Sequence, residues 1–494
     1  MASQNYLIFD FGASNCRSIM AGYDGKSFSM DVTHRFENRP VFADGTLYWD
    51  ILNLYQELKN GISASLKKYD SIKSMGLDAW GADFGIIDKN GKLIANPVHY
   101  RDVKRAEDAK DLYTHISAEK LYELTGACIK PLFDVFHLYS LKKQNSPEIK
   151  NADKFLSIAD IFNYFLTKTP SNELTRLTTS AFFNQFEYKL EEKIFDILGL
   201  PKNIFPGTVN PGEKISGISD DLAEELGIKS FDIIAPATHD TASAVAGIPV
   251  KYPDKNWAFI SIGTWCSIGV ENDRPIVTGD TFREGFCNEA GVEGKNIFVR
   301  NINGLWIIQQ CMEKWRKDIP GFDWPDIDKI YPKAESFKVF IDVEDTKFLR
   351  TYSDMSEVIN KYCAKTGQKL PESIGEISRS FYESLVLRFK YHMLKFERFT
   401  GKKLDILHVV GGGIKNRLFC QWISNALGIA IIAGPVETTS VGNLIMQLKA
   451  NGEIDDLNQG RQISLGASDI AFYEPQDTQT WTEAYEKYLR FLNK

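Results

Sequence analysis

The stretch YLIFDFGASNCRSIMAGYDG (6–25) decides how the rest of the chain is read. An apolar run ends at Asp10, a turn follows around Gly12, and a second apolar run leads to Asp24-Gly25. Two such runs joined by a tight glycine turn read as a β-hairpin whose turn offers backbone N–H groups. The same plan returns in NWAFISIGTWCSIGVEND (256–273), centred on Gly263, about half the chain further on. One fold used twice, with two turns facing one ligand, accounts for the repeat. Chance similarity between apolar hairpins is the competing account.

The chain has 494 residues, too many for a single core, so two large domains are expected. The change is placed just after residue 247, where IPVKYPDKN (248–256) reads as a linker, giving 1–247 and 248–494. Hydrophobic residues are 43% and charged residues 25%, an ordinary soluble balance. Lys plus Arg number 58 against 65 Asp plus Glu, a net charge of -7, and no basic run interrupts that balance. Non-specific binding to nucleic acid is therefore not expected. No stretch approaches the roughly 20 apolar residues that span a bilayer, so no membrane partner is expected either. MASQNYLIFDFG lacks the basic start and long apolar run of a secretory leader. The seven cysteines are scattered without a CxxC pair, which fits a reducing cytoplasm rather than a disulfide framework or zinc site.

Other segments support an α/β class. SIKSMGLDAWGADFGIIDKNGKLI (71–94) reads as strand, turn and strand, with DKNG closing a hairpin. The pattern between 104 and 230 is mainly helical. IGEISRSFYESLVLRFKYHMLKFERFTG (374–401) has apolar residues at three- and four-residue spacing, and Gly401 marks its end. LDILHVVGGGIKN (404–416) reads as a buried strand running into a glycine turn and a helix.

Several residues have the chemistry of a site. Asp10, at the end of the first strand, is placed either to orient a metal ion beside a phosphate-binding turn or simply to shape a β-turn. Gly411-Gly412-Gly413 lets backbone approach an anion, with a tight packing turn as the alternative. GPVETTSVGN (434–443) offers Gly442 and Asn443 at an expected helix start. Neither GxxxxGK[ST] nor GxGxxG occurs. In DAWGAD (78–83), Trp80 reads as a flat wall for a sugar face with Asp78 and Asp83 as hydroxyl acceptors, or as core and turn residues. APATHDTASAVAG (235–247) sets His239 and Asp240 at the exit of the apolar run FDII. Read locally, Asp240 is best taken as a helix cap; the other reading is a base that takes a proton from a hydroxyl attacking phosphorus.

Taken together, these segments resemble the FGGY family of carbohydrate kinases, and within it the rhamnulokinase-like members. The resemblance runs over nearly the whole chain: DFGAS (10–14) with Arg17, HRFEN (34–38), YWD (48–50), GLDAWGADFGIID (76–88), YRD (100–102), ATHDTASAV (237–245), SIGTW (261–265), NEAG (288–291), NINGLW (301–306), HVVGGGIKN (408–416) and GPVETTSVGN. It implies two actin-like (ribonuclease H-like) ATPase domains around a central cleft, the first binding sugar and the second mainly nucleotide. It implies that Asp240 is the catalytic base, and that Gly81, His239, Asp240, Thr241 and Asn301 face the sugar. Ala13, Ser14, Asn15, Cys16, Arg17, Thr264, Gln309 and Gly412 would contact ATP, and Asp10 would help hold Mg²⁺. The implied activity is ATP-dependent phosphorylation of the 1-hydroxyl of a ketose, L-rhamnulose first and L-fuculose next. An actin-like nucleotide-binding sensor or assembly protein without sugar chemistry is the reading from another class. A monomer and a dimer are both compatible with the sequence.

Four places depart from the family pattern. Asn15-Cys16 replaces Ser-Gly in the first loop, putting a side chain where glycine allows close phosphate approach. Phe136-His137 stands where the family tends to show Asn-Thr. RLTTSA (176–181) replaces a Thr-rich segment, and the basic residue after YRD falls at Lys104 or Arg105.

Overall fold

The computed structural model describes residues 3–102, 104–466 and 469–493. The chain divides into two compact units. One is formed by Met1–Lys251, Glu271–Phe298 and Thr438–Ala467, the other by Tyr252–Val270, Val299–Glu437 and Ser468–Lys494. The break near 247 is thus followed by two later segments that return to the first unit.

A six-stranded sheet carries the first unit. In spatial order its strands are Glu213–Gly217, Asp232–Ala235, Ser74–Ala79, Gln4–Phe11, Asn15–Tyr23 and Phe28–Glu37. The last three form an antiparallel meander, whereas Gln4–Phe11, Ser74–Ala79 and Asp232–Ala235 run parallel. Glu213–Gly217 closes the edge antiparallel to Asp232–Ala235. Strands covered on both faces are apolar almost throughout, as the run LIFDF is. Leu7, Phe9, Phe11, Met75, Leu77 and Ile233 meet Leu58, Ile62 and Phe162 in one buried core.

A second sheet has the order Cys287–Ala290, Asn296–Asn303, Trp265–Asn272, Trp257–Ile262, Ile406–Val410, Ala430–Ala433 and Ala471–Tyr473. Trp257–Ile262 pairs antiparallel with Trp265–Asn272 and parallel with Ile406–Val410, which is parallel to Ala430–Ala433. An antiparallel strand again closes the edge. Both sheets therefore share one topology: a hairpin, two further parallel strands and an antiparallel edge. The repeat read from residues 6–25 and 256–273 is a repeat of fold.

Local rules account for the elements between strands. The helix Ile374–Thr400 begins at Ser373, whose side chain accepts from the Glu376 N–H, and ends at Gly401 with φ 68°. In DKNG, the Asp88 N–H donates to the Lys92 carbonyl and the Asp88 carboxylate accepts from the Lys92 N–H, across a turn with Gly91 at φ 76°. No helix among the described residues is long and apolar enough to cross a membrane.

Candidate active site

Three parallel strands of the first sheet deliver three carboxylates to their C-terminal ends, the edge where open α/β sheets bind ligands. Asp10 and Asp78 lie opposite each other on neighbouring strands. Asp240 follows the third strand and opens the helix Asp240–Ala246. Asp10 accepts from Arg17 Nη2 at 2.6 Å and from Arg17 Nε at 3.1 Å, both through Oδ2. Asp78 is fully buried; its Oδ2 accepts from Asn443 Nδ2 at 2.7 Å while Oδ1 has no hydrogen-bond partner. Burial first, and Asp10 next, raise the Asp78 carboxyl well above the usual carboxylate range.

Asp240 does not cap its helix. His239 holds the N-cap position without a side-chain cap bond, and Asp240 is the first helical residue. Its carboxylate is engaged by Thr241 Oγ1 at 3.2 Å, and 37% of its side chain remains open to solvent. Protein surrounds the rest, so desolvation raises its pKa; His239 opposes that rise and Asp10 adds to it. The capping account favoured by local sequence fails because the turn comes one residue earlier. The result is a reachable carboxylate with a raised pKa, as a general base requires.

His239 is held from several sides. Its backbone N–H reaches Thr175 Oγ1 at 3.2 Å. Thr175 in turn donates to Glu173, a buried carboxylate that also accepts from the N–H and Oγ1 of Thr238 at 3.0 and 2.7 Å. The imidazole Nε2 is 3.5 Å from Asp240 Oδ1, and Nδ1 is 3.3 Å from Glu289 Oε2. A Cβ at residue 81 would come within 2.3 Å of Nε2, so only glycine leaves room for the ring.

The turn after Gly81 is set from below by residues that sequence reading missed. Arg176 and Asp134 form a fully buried ion pair at 2.8 Å. Arg176 Nη2 also donates to the Asp83 carbonyl, Nη1 donates to Thr179 Oγ1, and that hydroxyl lies 2.9 Å from the Gly81 carbonyl. RLTTSA is therefore the clamp under the DAWGAD turn. Asp83 is turned inward and fully buried, its Oδ2 accepting from Trp49 Nε1 at 2.6 Å and from the Tyr100 N–H, so it braces the turn. Trp80 is buried against Trp49 at 4.1 Å between ring centroids rather than forming an open wall. Phe136 and His137 are buried in the helix Asp134–Lys143, with His137 against Phe84. The side chains of Lys104 and Arg105 lie outside the described residues.

The first turn is braced by Asn38, whose Nδ2 donates to the Gly12 carbonyl at 3.0 Å and whose N–H donates to Ser14. Ala13 is half-buried, Ser14 and Asn15 are exposed, and Arg17 is half-buried. Strand alternation turns the Cys16 side chain into the core, where burial pushes its thiol far up and Sγ lies 3.5 Å from the Gly12 carbonyl. Cys16 thus places no side chain on the open side of the turn, contrary to the expectation that it would crowd phosphate. GPVETTSVGN gives a second correction. Gly442 and Asn443 lie in the second turn of the helix Thr438–Ala450, not at its start, and both are buried. A Cβ at Gly442 would sit 1.8 Å from the Ser243 carbonyl oxygen, so this glycine serves helix contact.

In the other unit, the turn at Gly263 is matched by NINGLW. The Thr264 carbonyl accepts from the N–H groups of Gly304 and Trp306, and the Gly263 carbonyl accepts from Leu305. Of the three consecutive glycines, Gly411 (φ 84°) and Gly413 pack against Ile262, whereas a Cβ on Gly412 would meet nothing within 4 Å. Gln309 is half-buried in the helix Trp306–Asp318, and Asn301 Oδ1 accepts from Ser267 Oγ at 2.5 Å.

Comparison with known proteins gives this geometry its context. Residues 5–247 match the N-terminal domain, and residues 258–451 the C-terminal domain, of the FGGY family of carbohydrate kinases. The chain belongs to this family. It is accordingly an ATP-dependent sugar phosphotransferase. A rhamnulokinase from Bacteroides thetaiotaomicron is 33% identical over 98% of both chains. One from Oceanobacillus iheyensis is 35% identical over 94% of this chain and 97% of its own. Among solved structures, a ligand-bound xylulose kinase from Lactobacillus acidophilus superposes with a TM-score of 0.81 at 16% identity, over 99% of this chain and 98% of that one. A Plasmodium falciparum glycerol kinase with ADP gives 0.77 at 17% identity, over 99% and 98%. The two-unit α/β fold of this sugar kinase is the fold of those enzymes.

Proposed function

We propose that this enzyme transfers the γ-phosphoryl group of ATP to the 1-hydroxyl of L-rhamnulose, giving L-rhamnulose 1-phosphate and ADP. The observation that carries the reading is Asp240: a carboxylate at a strand exit, open to solvent on one side, with a raised pKa and an imidazole beside it. Near-full-length likeness to enzymes named rhamnulokinase supports the choice of sugar.

In this reading Asp240 takes the proton from the C1 hydroxyl as its oxygen attacks the γ-phosphorus, and the bond to the ADP oxygen breaks in line. A positioned base supplies about 10²–10⁴-fold, roughly 3–5 kcal/mol of barrier. Gly81, His239, Thr241 and Asn301 orient the sugar. Ala13 to Arg17, Thr264, Gln309 and Gly412 bind ATP, with Cys16 contributing backbone only. The division into a sugar-binding 1–247 and a mainly nucleotide-binding 248–494 belongs to the same proposal, as does a cytoplasmic setting.

Asp10 fits a role in holding Mg²⁺. Its hydrogen bonds all fall on Oδ2, and the neighbouring Asp78 Oδ1 is buried without a partner. Among the described residues no cluster of three ligand side chains exists. That suits an ion held by one or two carboxylates together with phosphate oxygens and water, the usual habit of Mg²⁺. When bound, the ion neutralises charge on the transferring phosphoryl group.

A coupled ADP-release assay with L-rhamnulose, L-fuculose, xylulose and ribulose tests the reading. L-Rhamnulose is expected to give the highest kcat/KM. Preference for another ketose would reassign the substrate, and ADP release indifferent to every ketose would remove the assignment altogether.

A further inference from the structure

NEAG (288–291) is a motif to which the reaction as described gives no task. Its acid, Glu289, lies on the strand Cys287–Ala290 and is only 5% exposed. Both neighbours are anchored: the Asn288 carbonyl accepts from Gln185 Nε2 at 2.6 Å, and the Ala290 N–H donates to Thr178 Oγ1 at 3.0 Å. The backbone that carries the carboxylate is thus anchored on both sides. Oε2 lies 3.3 Å from His239 Nδ1, an ion-pair distance, and neither atom has a hydrogen-bond partner of its own. A buried carboxylate left without a partner costs several kcal/mol, on the order of the penalty for an unpaired buried charge. The imidazole is what it faces.

We propose that Glu289 is the positioning residue of the sugar site, holding His239 with Nδ1 protonated so that Nε2 is presented to Asp240 and the substrate hydroxyl. In a histidine the hydrogen bond made by one nitrogen fixes the state of the other. Here the ring has no freedom to turn away. Nε2 is confined by Gly81, and the backbone is tied to Thr175. The charged groups facing the ring are Glu289 from its strand, Asp240 from the adjoining helix and Arg176 from Leu174–Thr178. Burial pulls the imidazole pKa down, but the two carboxylates outweigh it and the net change is upward. A ring held this way donates from Nδ1 to Glu289 and keeps Nε2 within 3.5 Å of the catalytic base.

The inference rests on the sugar-kinase reading above, so its test has one arm that does not depend on turnover. In the wild-type protein, ¹⁵N shifts of the His239 ring, assigned by comparison with His239→Ala, should show Nδ1 carrying a proton. A bare Nδ1 overturns the proposal whether or not any ketose is phosphorylated. In the kinetic arm, Glu289→Ala should raise the KM for the ketose at least tenfold and leave that for ATP within twofold. Glu289→Gln, which keeps an acceptor, should recover part of the loss. Adding Glu289→Ala to His239→Ala should change the ketose KM by less than twofold. Multiplying losses would mean that Glu289 acts independently of His239, and equal losses for ketose and ATP would mean a general structural role. Either result, or an unchanged Glu289→Ala enzyme, overturns the proposal.

Discussion

At residue 81 the absence of a side chain is a requirement, because His239 fills the space a Cβ would take, 2.3 Å away. Gly81→Ala is expected to displace the imidazole, raising the KM for the ketose at least tenfold with little effect on that for ATP. Overpacking of this kind costs about 1–3 kcal/mol of stability, which urea unfolding would read directly. Asp240 predicts a pH dependence of fixed sign. As the proposed base it is needed deprotonated, and its carboxyl is raised by burial, so kcat/KM should fall with decreasing pH on a limb above the ordinary aspartate value of 3.8. A limb at or below that value would contradict the environment described. At this scale the sequence was informative about local placement: His239 and Asp240 do stand together at the exit of a strand and the start of a helix. It was misleading where strand alternation mattered: Cys16 looked like an obstacle to phosphate, yet its side chain faces the core.

The helices Asp240–Ala246 and Thr438–Ala450 explain the small residues after Asp240. Gly247 and Gly442 leave no room for a Cβ, their nearest atoms being the Thr438 carbonyl oxygen at 2.2 Å and the Ser243 carbonyl oxygen at 1.8 Å. Gly442→Ala should therefore force the helices apart, lowering the unfolding free energy by roughly 1–3 kcal/mol and reducing turnover by shifting Asp240. An unfolding midpoint equal to that of the parent would refute the packing argument. Hairpins, the long helix ending at Gly401 and the strand before Gly411 were legible because their signals are local. Partners brought together from distant segments were not. Asp134 and Arg176, Asp78 and Asn443, and His239 and Glu289 leave no mark in spacing. Asn443 was read as part of a helix start, although its work is to satisfy a buried carboxylate.

For the whole molecule, the repeated hairpin pointed to a fold used twice, and two sheets that each join a hairpin to two further parallel strands and an antiparallel edge bear that out. The chain does not change units at one linker, because 271–298 and 438–467 return to the first unit. No composition shift marks these returns, since they are set by long-range packing. The returning segments supply Glu289 and Asn443, so the site in the first unit depends on chain from well beyond residue 247. The account turns on Asp240 as the base in ATP-dependent ketose phosphorylation. Its most direct test is the turnover of Asp240→Asn at saturating ATP and L-rhamnulose. The isosteric amide should keep the sugar bound and lower kcat by at least about two orders of magnitude. A variant that turns over within a few-fold of the parent would contradict the account.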